Sequence, residues 1–217
     1  MSEFRPFIAT PTHDARVHTI YARGLLGAFA MFPGLGWHVC NATSLGRQRD
    51  LLVAEFVKSN CTHLLFVDSD MEWCPNDAAH LFETGRDFVG GTYCRKHAAR
   101  SITATLLPGQ DGLLRECSHL GTGFLLVSRS AIERMLDEYA EDTYEIGGRV
   151  FVSLFQQSRH EAGEDLAFSR RWRNTGGQAW LHTGVVLPHY DGNTAYVADP
   201  TGLIVPAAAA AEASSLR

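Results

Sequence analysis

The sequence has no apolar run of the roughly 18 residues that a membrane-crossing helix needs. Its first residues, Met-Ser-Glu-Phe-Arg-Pro, lack the apolar stretch of a secretory signal. Cysteine is sparse: Cys40, Cys61, Cys74, Cys94 and Cys117 are scattered, odd in number and form no C-x-x-C. That pattern excludes a disulfide frame and a zinc cluster, and reads as reduced thiols. Three common nucleotide and nucleophile signatures are missing as well: G-x-x-x-x-G-K-[ST], a G-x-G-x-x-G behind a strand, and G-x-S-x-G. Positive charge is not in excess. A net charge of −5 argues against a broad grip on nucleic-acid phosphates. Only the short clusters Arg47-Gln48-Arg49, Arg95-Lys96 and Arg170-Arg171-Trp172-Arg173 keep a local basic patch open. With no repeat and no Pro/Ser linker, residues 1–205 are expected to form one domain. The Ala-rich tail at 206–217 has no core-facing stripe and is expected to be a frayed helix or disordered.

What is present is an alternation of strand and helix patterns. Residues 7–9 are a short apolar run halted by Thr10-Pro11-Thr12, a first strand entering a loop. Helical spacing over 15–31 ends near Pro33-Gly34, and 37–40 makes a second strand. A helix at 49–59 follows, with Leu52, Val53, Phe56 and Val57 on its apolar face. Residues 63–67 are continuously apolar, as in a strand buried on both faces of a mostly parallel sheet. A helix at 76–84, opened by Pro75, leads to a strand at 87–90. This order predicts a doubly wound α/β sheet. The second half changes character, with antiparallel strands at 102–107 and 112–117 and a strand at 123–128. Helices are expected at 131–139 and 164–174, and short strands at 179–181 and 185–187.

The candidate chemistry starts at Asp68-Ser69-Asp70, directly after the buried run. Ligands of open α/β sheets gather outside the carboxyl ends of strands. Two carboxylates leaving such a strand can share a hard cation and a ribose, and the cation would neutralise a diphosphate. Glu164 and Asp165 open a helix, where they complement its dipole. A carboxylate there could also take a proton from an attacking hydroxyl. Neighbours on a helix diverge by about 100°, so only one of the two can face a given acceptor. His189 follows one of the short strands; His182, also near a strand end, competes with it. Lys96 is either a diphosphate ligand or an ordinary surface lysine.

The stretch from His63 to Asp70, with Arg47-Gln48-Arg49-Asp50 upstream, resembles the nucleotide-binding half of GT-A glycosyltransferases. Gly121-Thr122-Gly123-Phe124-Leu125-Leu126-Val127, Gly163-Glu164-Asp165-Leu166-Ala167-Phe168 and Leu187-Pro188-His189 follow in that superfamily's order. The chain is most similar to its small bacterial, phage and large-virus members. The resemblance implies a GT-A-like doubly wound mixed sheet flanked by helices, nucleotide-binding in its N-terminal half and acceptor-binding in its C-terminal half. It implies cytoplasmic transfer of a sugar, with inversion, from a nucleoside-diphosphate sugar (UDP by default) to an acceptor hydroxyl. Thr10, Pro11, Thr12 and Asp14 would lie against the nucleotide, with Arg47, Arg49, Asp68 and Ser69. Asp70, aided by Asp68 and His189, would hold Mn²⁺ or Mg²⁺, the imidazole favouring Mn²⁺. Asp165, or else Glu164, would be the base, and Gly121, Thr122 and Gly123 would approach the sugars. Relatives carry Arg-Asn where this chain has Arg49-Asp50, which leaves the role of Asp50 open. The acceptor could be a glycan, a small molecule or a modified base in DNA. A nucleotidyltransferase, or a nucleotide-binding module without catalysis, would use the same carboxylates.

Overall fold

The computed structural model describes residues 4–198 except residue 110 and residues 158–162, with the backbone alone at Ala99 and Arg100. The tail expected at 206–217 lies outside the described residues. The N-terminal half runs β1 (Pro6–Pro11), α1 (Thr19–Met31), β2 (Gly36–Cys40), α2 (Leu45–Lys58), β3 (His63–Val67), α3 (Pro75–Glu83) and β4 (Phe88–Thr92). Then come β5 (Cys94–Arg95), β6 (Ala98–Ile102), β7 (Ala104–Leu106), β8 (Leu114–Leu120), β9 (Phe124–Ser128) and α4 (Arg129–Glu138). The chain continues through β10 (Thr143–Ile146), β11 (Arg149–Val152), α5 (Glu164–Asn174), β12 (Ala179–Val186), β13 (His189–Asp191) and β14 (Thr194–Tyr196).

Eight strands form one mixed sheet in the order β2-β1-β3-β9-β4-β12-β8-β7. This is the expected α/β class. β1 is parallel to β2 and β3, and β12 is parallel to β4. β9 runs antiparallel between β3 and β4, so those two point the same way. The carboxyl ends of β1, β3, β4 and β12 therefore share one edge of the sheet. Asp68 to Asp70, Cys94 to Lys96 and His189 all emerge there, which is where such folds bind ligands.

Helices cover both faces. Leu52 and Phe56 of α2, Ile132 and Met135 of α4, and Phe168 and Trp172 of α5 pack on one side. Tyr21 and Leu25 of α1, with Ala78 and Leu81 of α3, pack on the other. β3 is buried between the two layers: Leu64 and Phe66 face the first, Leu65 and Val67 the second. A strand with two dry faces needs apolar residues at every position, which is why this run shows no alternation.

Several expectations change. β1 runs on through Thr10 and Pro11, which were expected to open a loop, and α1 starts at Thr19 and not at 15. α2 starts at Leu45, four residues early, because the Ser44 side chain accepts the Arg47 amide and caps it. The two strands expected at 179–181 and 185–187 are the single β12, irregular between His182 and Val186. Three hairpins, β5–β6, β10–β11 and β13–β14, were not anticipated. The β10–β11 pair turns at Gly147-Gly148, φ 58° and 77°, a left-handed pair that favours two-residue hairpins.

Candidate functional site

The two carboxylates of the Asp68-Ser69-Asp70 motif meet different partners. Arg49, on the first turns of α2, is only 2% exposed and reaches both Asp68 and Glu164. Its Nη2 donates to Asp68 Oδ1 at 3.0 Å, and its Nη1 donates to Glu164 Oε1. A guanidinium taken out of water is tolerated only when paired in this way. Burial pulls the Arg49 pKa down, but Asp68 and Glu164 carry it above its ordinary value. Burial pushes Asp68 up, with Arg49 opposing and Asp70 adding to the rise. The Asp68 amide donates to Gly123 O at 2.9 Å, which locks the motif to the start of β9.

Asp50, one residue on, is a buried structural tie. Its Oδ1 accepts the amides of Leu154 at 2.9 Å and Phe155 at 3.1 Å. Burial raises its pKa to about 7 against the pull of those amides. It fastens the start of α2 to the segment after β11.

Asp70 looks outward. Lys96 Nζ donates to Asp70 Oδ2 at 2.6 Å, and His189 Nε2 stands 3.3 Å from Asp70 Oδ1. The backbone brings His189 there, since Tyr190 N donates to Asp70 O at 2.9 Å and Glu72 N to Pro188 O at 3.0 Å. Burial would raise the Asp70 pKa, but His189 and Lys96 hold it at about 2, so it is ionised at neutral pH. Burial would lower His189, and Asp70 raises it above its usual value.

The donor set fits a divalent cation in one respect and not in another. His189 Nδ1 lies 3.1 Å from Cys94 O, and a carbonyl only accepts, so Nδ1 carries the hydrogen. Neutral His189 then turns a lone pair from Nε2 toward a carboxylate oxygen. Two acceptors facing each other need a positive charge between them, either a proton or a metal ion. Ligands at about 2.1 Å from one cation and at right angles to each other stand about 3 Å apart, near the observed spacing. Against this, Lys96 occupies the other Asp70 oxygen, and no three His, Cys, Asp or Glu side chains converge among the described residues.

Glu164 and Asp165 diverge as their helical positions require. Glu164 goes to Arg49, whereas Asp165 turns to His119 on β8, with Nε2 to Oδ2 at 3.2 Å. Burial would raise the Asp165 pKa, but His119, the Leu166 amide and Arg49 hold it below the usual carboxylate range. A cleft of about 590 Å³ adjoins Glu164, with Arg47, Asp50, Tyr144 and Phe155 in its walls. A second, of about 600 Å³, lies past Leu166 and is lined also by Ser118, Arg170 and Arg173.

Gly121 and Gly123 have ordinary dihedrals, so no left-handed turn explains them. Space does. A Cβ on Gly121 would run into Tyr93 Oη, and one on Gly123 would stand 2.8 Å from the same oxygen. Tyr93 Oη accepts the Gly123 amide at 2.8 Å, and Thr122 is buried between the two glycines with its hydroxyl unpartnered among the described residues.

The other residues singled out from sequence lie around this centre. The Thr10 hydroxyl is bonded to Tyr21 Oη inside the α1 layer, and Pro11 is buried at the end of β1. Thr12 is buried, its amide on Cys40 O and its hydroxyl receiving the Ala15 amide. Asp14 is exposed beside Arg16. The Ser69 carbonyl accepts the His18 amide at 2.8 Å. Arg47 stacks over the Tyr144 ring and stays out of the Arg49 cluster. His182 spends Nδ1 on the Val185 amide, away from Asp70. Arg171, from one of the clusters that kept a basic patch open, is 8% exposed and donates to Leu154 O and Gln156 O. His119 and Tyr93 were missed, since a lone His on a strand, or a lone Tyr between two strands, carries no motif.

No family model matches the chain, and no curated protein matches its sequence. Among solved structures, A197 from STIV shares the fold at a TM-score of 0.58, with 15% identity over 90% of this chain and 95% of that one. A mannose-1-phosphate geranyltransferase from Thermus thermophilus aligns at a TM-score of 0.46, with 10% identity over 64% of this chain and 62% of that one. A glycosyltransferase involved in glycosylation of the PBCV-1 major capsid aligns at 0.34, with 14% identity over 59% and 62%. The last two likenesses are too weak to bear on function, which has to be read from the site.

Proposed function

We propose that the chain is a metal-dependent glycosyltransferase using a nucleoside-diphosphate sugar, with UDP as the expected nucleotide. One observation carries this reading: Asp68 is fixed by a buried arginine while Asp70, two residues on, is ionised, partly exposed and faced by the His189 imidazole. Asp68 spends an oxygen on the buried Arg49, whereas the partners of Asp70 are themselves partly exposed. Asp70 and His189 would hold Mn²⁺ or Mg²⁺, and the cation would supply charge neutralisation for the departing diphosphate. Asp68, Arg49 and the end of β1 would form the nucleotide side, with Gly121-Thr122-Gly123 beside the donor sugar. Glu164 is committed to Arg49, so Asp165 is the base. It takes the proton of an acceptor hydroxyl, the acceptor oxygen bonds to the anomeric carbon, and the bond from that carbon to the diphosphate breaks. The electron pair leaves with the nucleoside diphosphate, and the configuration inverts.

A DNA acceptor has less to stand on. Of the basic residues that would line its groove, Arg171 is buried and Lys96 is bonded to Asp70. The function is tested by a panel of UDP- and GDP-sugars with Mn²⁺ or chelator, following nucleoside diphosphate release and thermal stability. Tight ligands raise stability by mass action. Metal-dependent release by the wild type, lost in Asp70→Ala with the fold intact, is expected. Full turnover in chelator would overturn the metal role, and release of pyrophosphate would point to nucleotidyl transfer.

A further inference from the structure

We propose that His119 is the positioning residue for Asp165, holding its carboxylate in the orientation that receives the acceptor proton. The inference rests on the transferase reading above and goes beyond it, because no motif pointed to His119. Two contacts and one unspent donor define the arrangement. His119 Nε2 stands 3.2 Å from Asp165 Oδ2, with 13% of the imidazole and 29% of the carboxylate exposed. Nε2 is buried and makes no hydrogen bond of good geometry among the described residues, so the Asp165 carboxylate is the acceptor nearest to hand for it. The other oxygen, Oδ1, accepts the Leu166 amide of its own helix at 2.8 Å. One oxygen is thereby bonded and the other lies against the imidazole, which limits how far the carboxylate can turn.

The frame around the pair is rigid. One turn along α5 from Asp165, the Ser169 hydroxyl is buried and bonded twice to Leu120, the neighbour of His119. It receives the Leu120 amide at 3.1 Å and donates to the Leu120 carbonyl at 3.2 Å. β8 and α5 are thus clamped where the two side chains meet, and the spacing does not depend on loose surface contacts. Gly163 completes the seat: a Cβ there would lie 2.5 Å from Asp165 Oδ1, so any side chain would push the carboxylate off its position. On the other flank Arg49 draws Glu164 away, leaving Asp165 without a competing carboxylate on its side of the helix. A base held in this way loses little freedom on meeting its acceptor, the advantage that fixed geometry gives a proton transfer.

The roles predict a split between binding and turnover. His119→Phe fills the space without a donor, and His119→Gln keeps an N–H near the original nitrogen. The probes are UDP- and GDP-hexoses with Mn²⁺, scored for nucleoside diphosphate release, with thermal melting as the check on folding. His119→Phe should lower kcat roughly tenfold or more with donor KM little changed, and His119→Gln should recover much of the loss. Separately, ¹⁵N NMR of the histidine rings needs no substrate. Nε2 of His119, assigned by its absence in His119→Gln, should carry a proton and shift in Asp165→Ala. A His119→Phe variant with wild-type kcat, or a His119 ring indifferent to Asp165→Ala, overturns the proposal. If the wild type releases nothing from any donor, the transferase reading fails and the role falls with it, even where the NMR shows the pair.

Discussion

Asp68 and Asp70 are two residues apart on one turn, yet one is tied to a buried arginine and the other to partly exposed partners. Asp68 lies on a guanidinium that is 2% exposed, and the same guanidinium holds Glu164 from a helix that begins far along the chain. Asp70 has partners that are themselves partly open: Lys96 is 32% exposed and His189 15%. Removing a partner in the first place strands a buried charge, whereas in the second water or a cation can take over. The difference shows that the two carboxylates of a short acidic motif can meet unlike surroundings. The first shares Arg49 with Glu164 of α5, and the second faces partly exposed partners.

The sharpest way to break this contrast is Arg49→Met. It leaves Asp68 and Glu164 facing each other without a cation, and cutting one side of a buried ion pair costs about 3–5 kcal/mol. Urea unfolding should show a loss of that size. A loss under about 1 kcal/mol, the range of exposed pairs, would mean that the interior cluster is solvated and that the two carboxylates are alike after all.

Asp50 extends the comparison within the buried side. Its folded pKa of about 7 lies above the ordinary 3.8. Folding therefore favours the protonated form, and that contribution is complete below about pH 4 and lost as pH rises through 7. The shift corresponds to a swing of at most roughly 4 kcal/mol. Asp50→Asn keeps an acceptor for the Leu154 and Phe155 amides and has no charge to bury. The stability of Asp50→Asn relative to wild type should therefore climb between about pH 4 and pH 8, measured by unfolding at each pH. A flat difference would show that Asp50 is hydrated.

The open side is tested by Asp70→Asn. Lys96 loses an exposed partner, worth at most about 1 kcal/mol, so the melting temperature should barely move. Mn²⁺-dependent nucleotide binding should weaken by about 100-fold, because a neutral amide is a poor ligand for a hard cation. Calorimetry with UDP and Mn²⁺ reads it. Asp68→Asn should reverse the balance, with a marked loss of stability. Equal effects of the two substitutions on melting would erase the distinction.

Local pattern made part of this visible and long-range pairing hid the rest. β3 and α5 have the bounds that apolar continuity and helical spacing predict, since both signals lie within the element. That β9 runs antiparallel between β3 and β4 could not be read, because strand neighbours are chosen by packing across the whole sheet. Asp50 departs from the resembling family at a position whose partners are 104 and 105 residues away. Gly121 and Gly123 leave room for a tyrosine hydroxyl from another part of the chain, which no local pattern announces. The hairpin at Gly147-Gly148 did carry its own signal, two glycines between short apolar alternations, and was legible in principle.

Lys96 provides the finest test, because it stands on the carboxylate that a cation would use. Its ammonium and a divalent ion both seek Asp70, and at 2.6 Å from Oδ2 the ammonium holds one of the two oxygens. A bound cation must either share Asp70 with Lys96 or turn it aside toward the diphosphate. Lys96→Met removes the competitor and keeps most of the length of the side chain. Mn²⁺ binding without nucleotide, followed by electron paramagnetic resonance, should then tighten by about three- to tenfold, on the order of 1 kcal/mol for a partly exposed pair. With UDP present the gain should shrink or reverse, since the same ammonium is placed to meet phosphate oxygens. If Lys96→Met leaves Mn²⁺ binding unchanged in both cases, Lys96 and the cation do not compete, and Asp70 is less exposed to ligands than its open position implies.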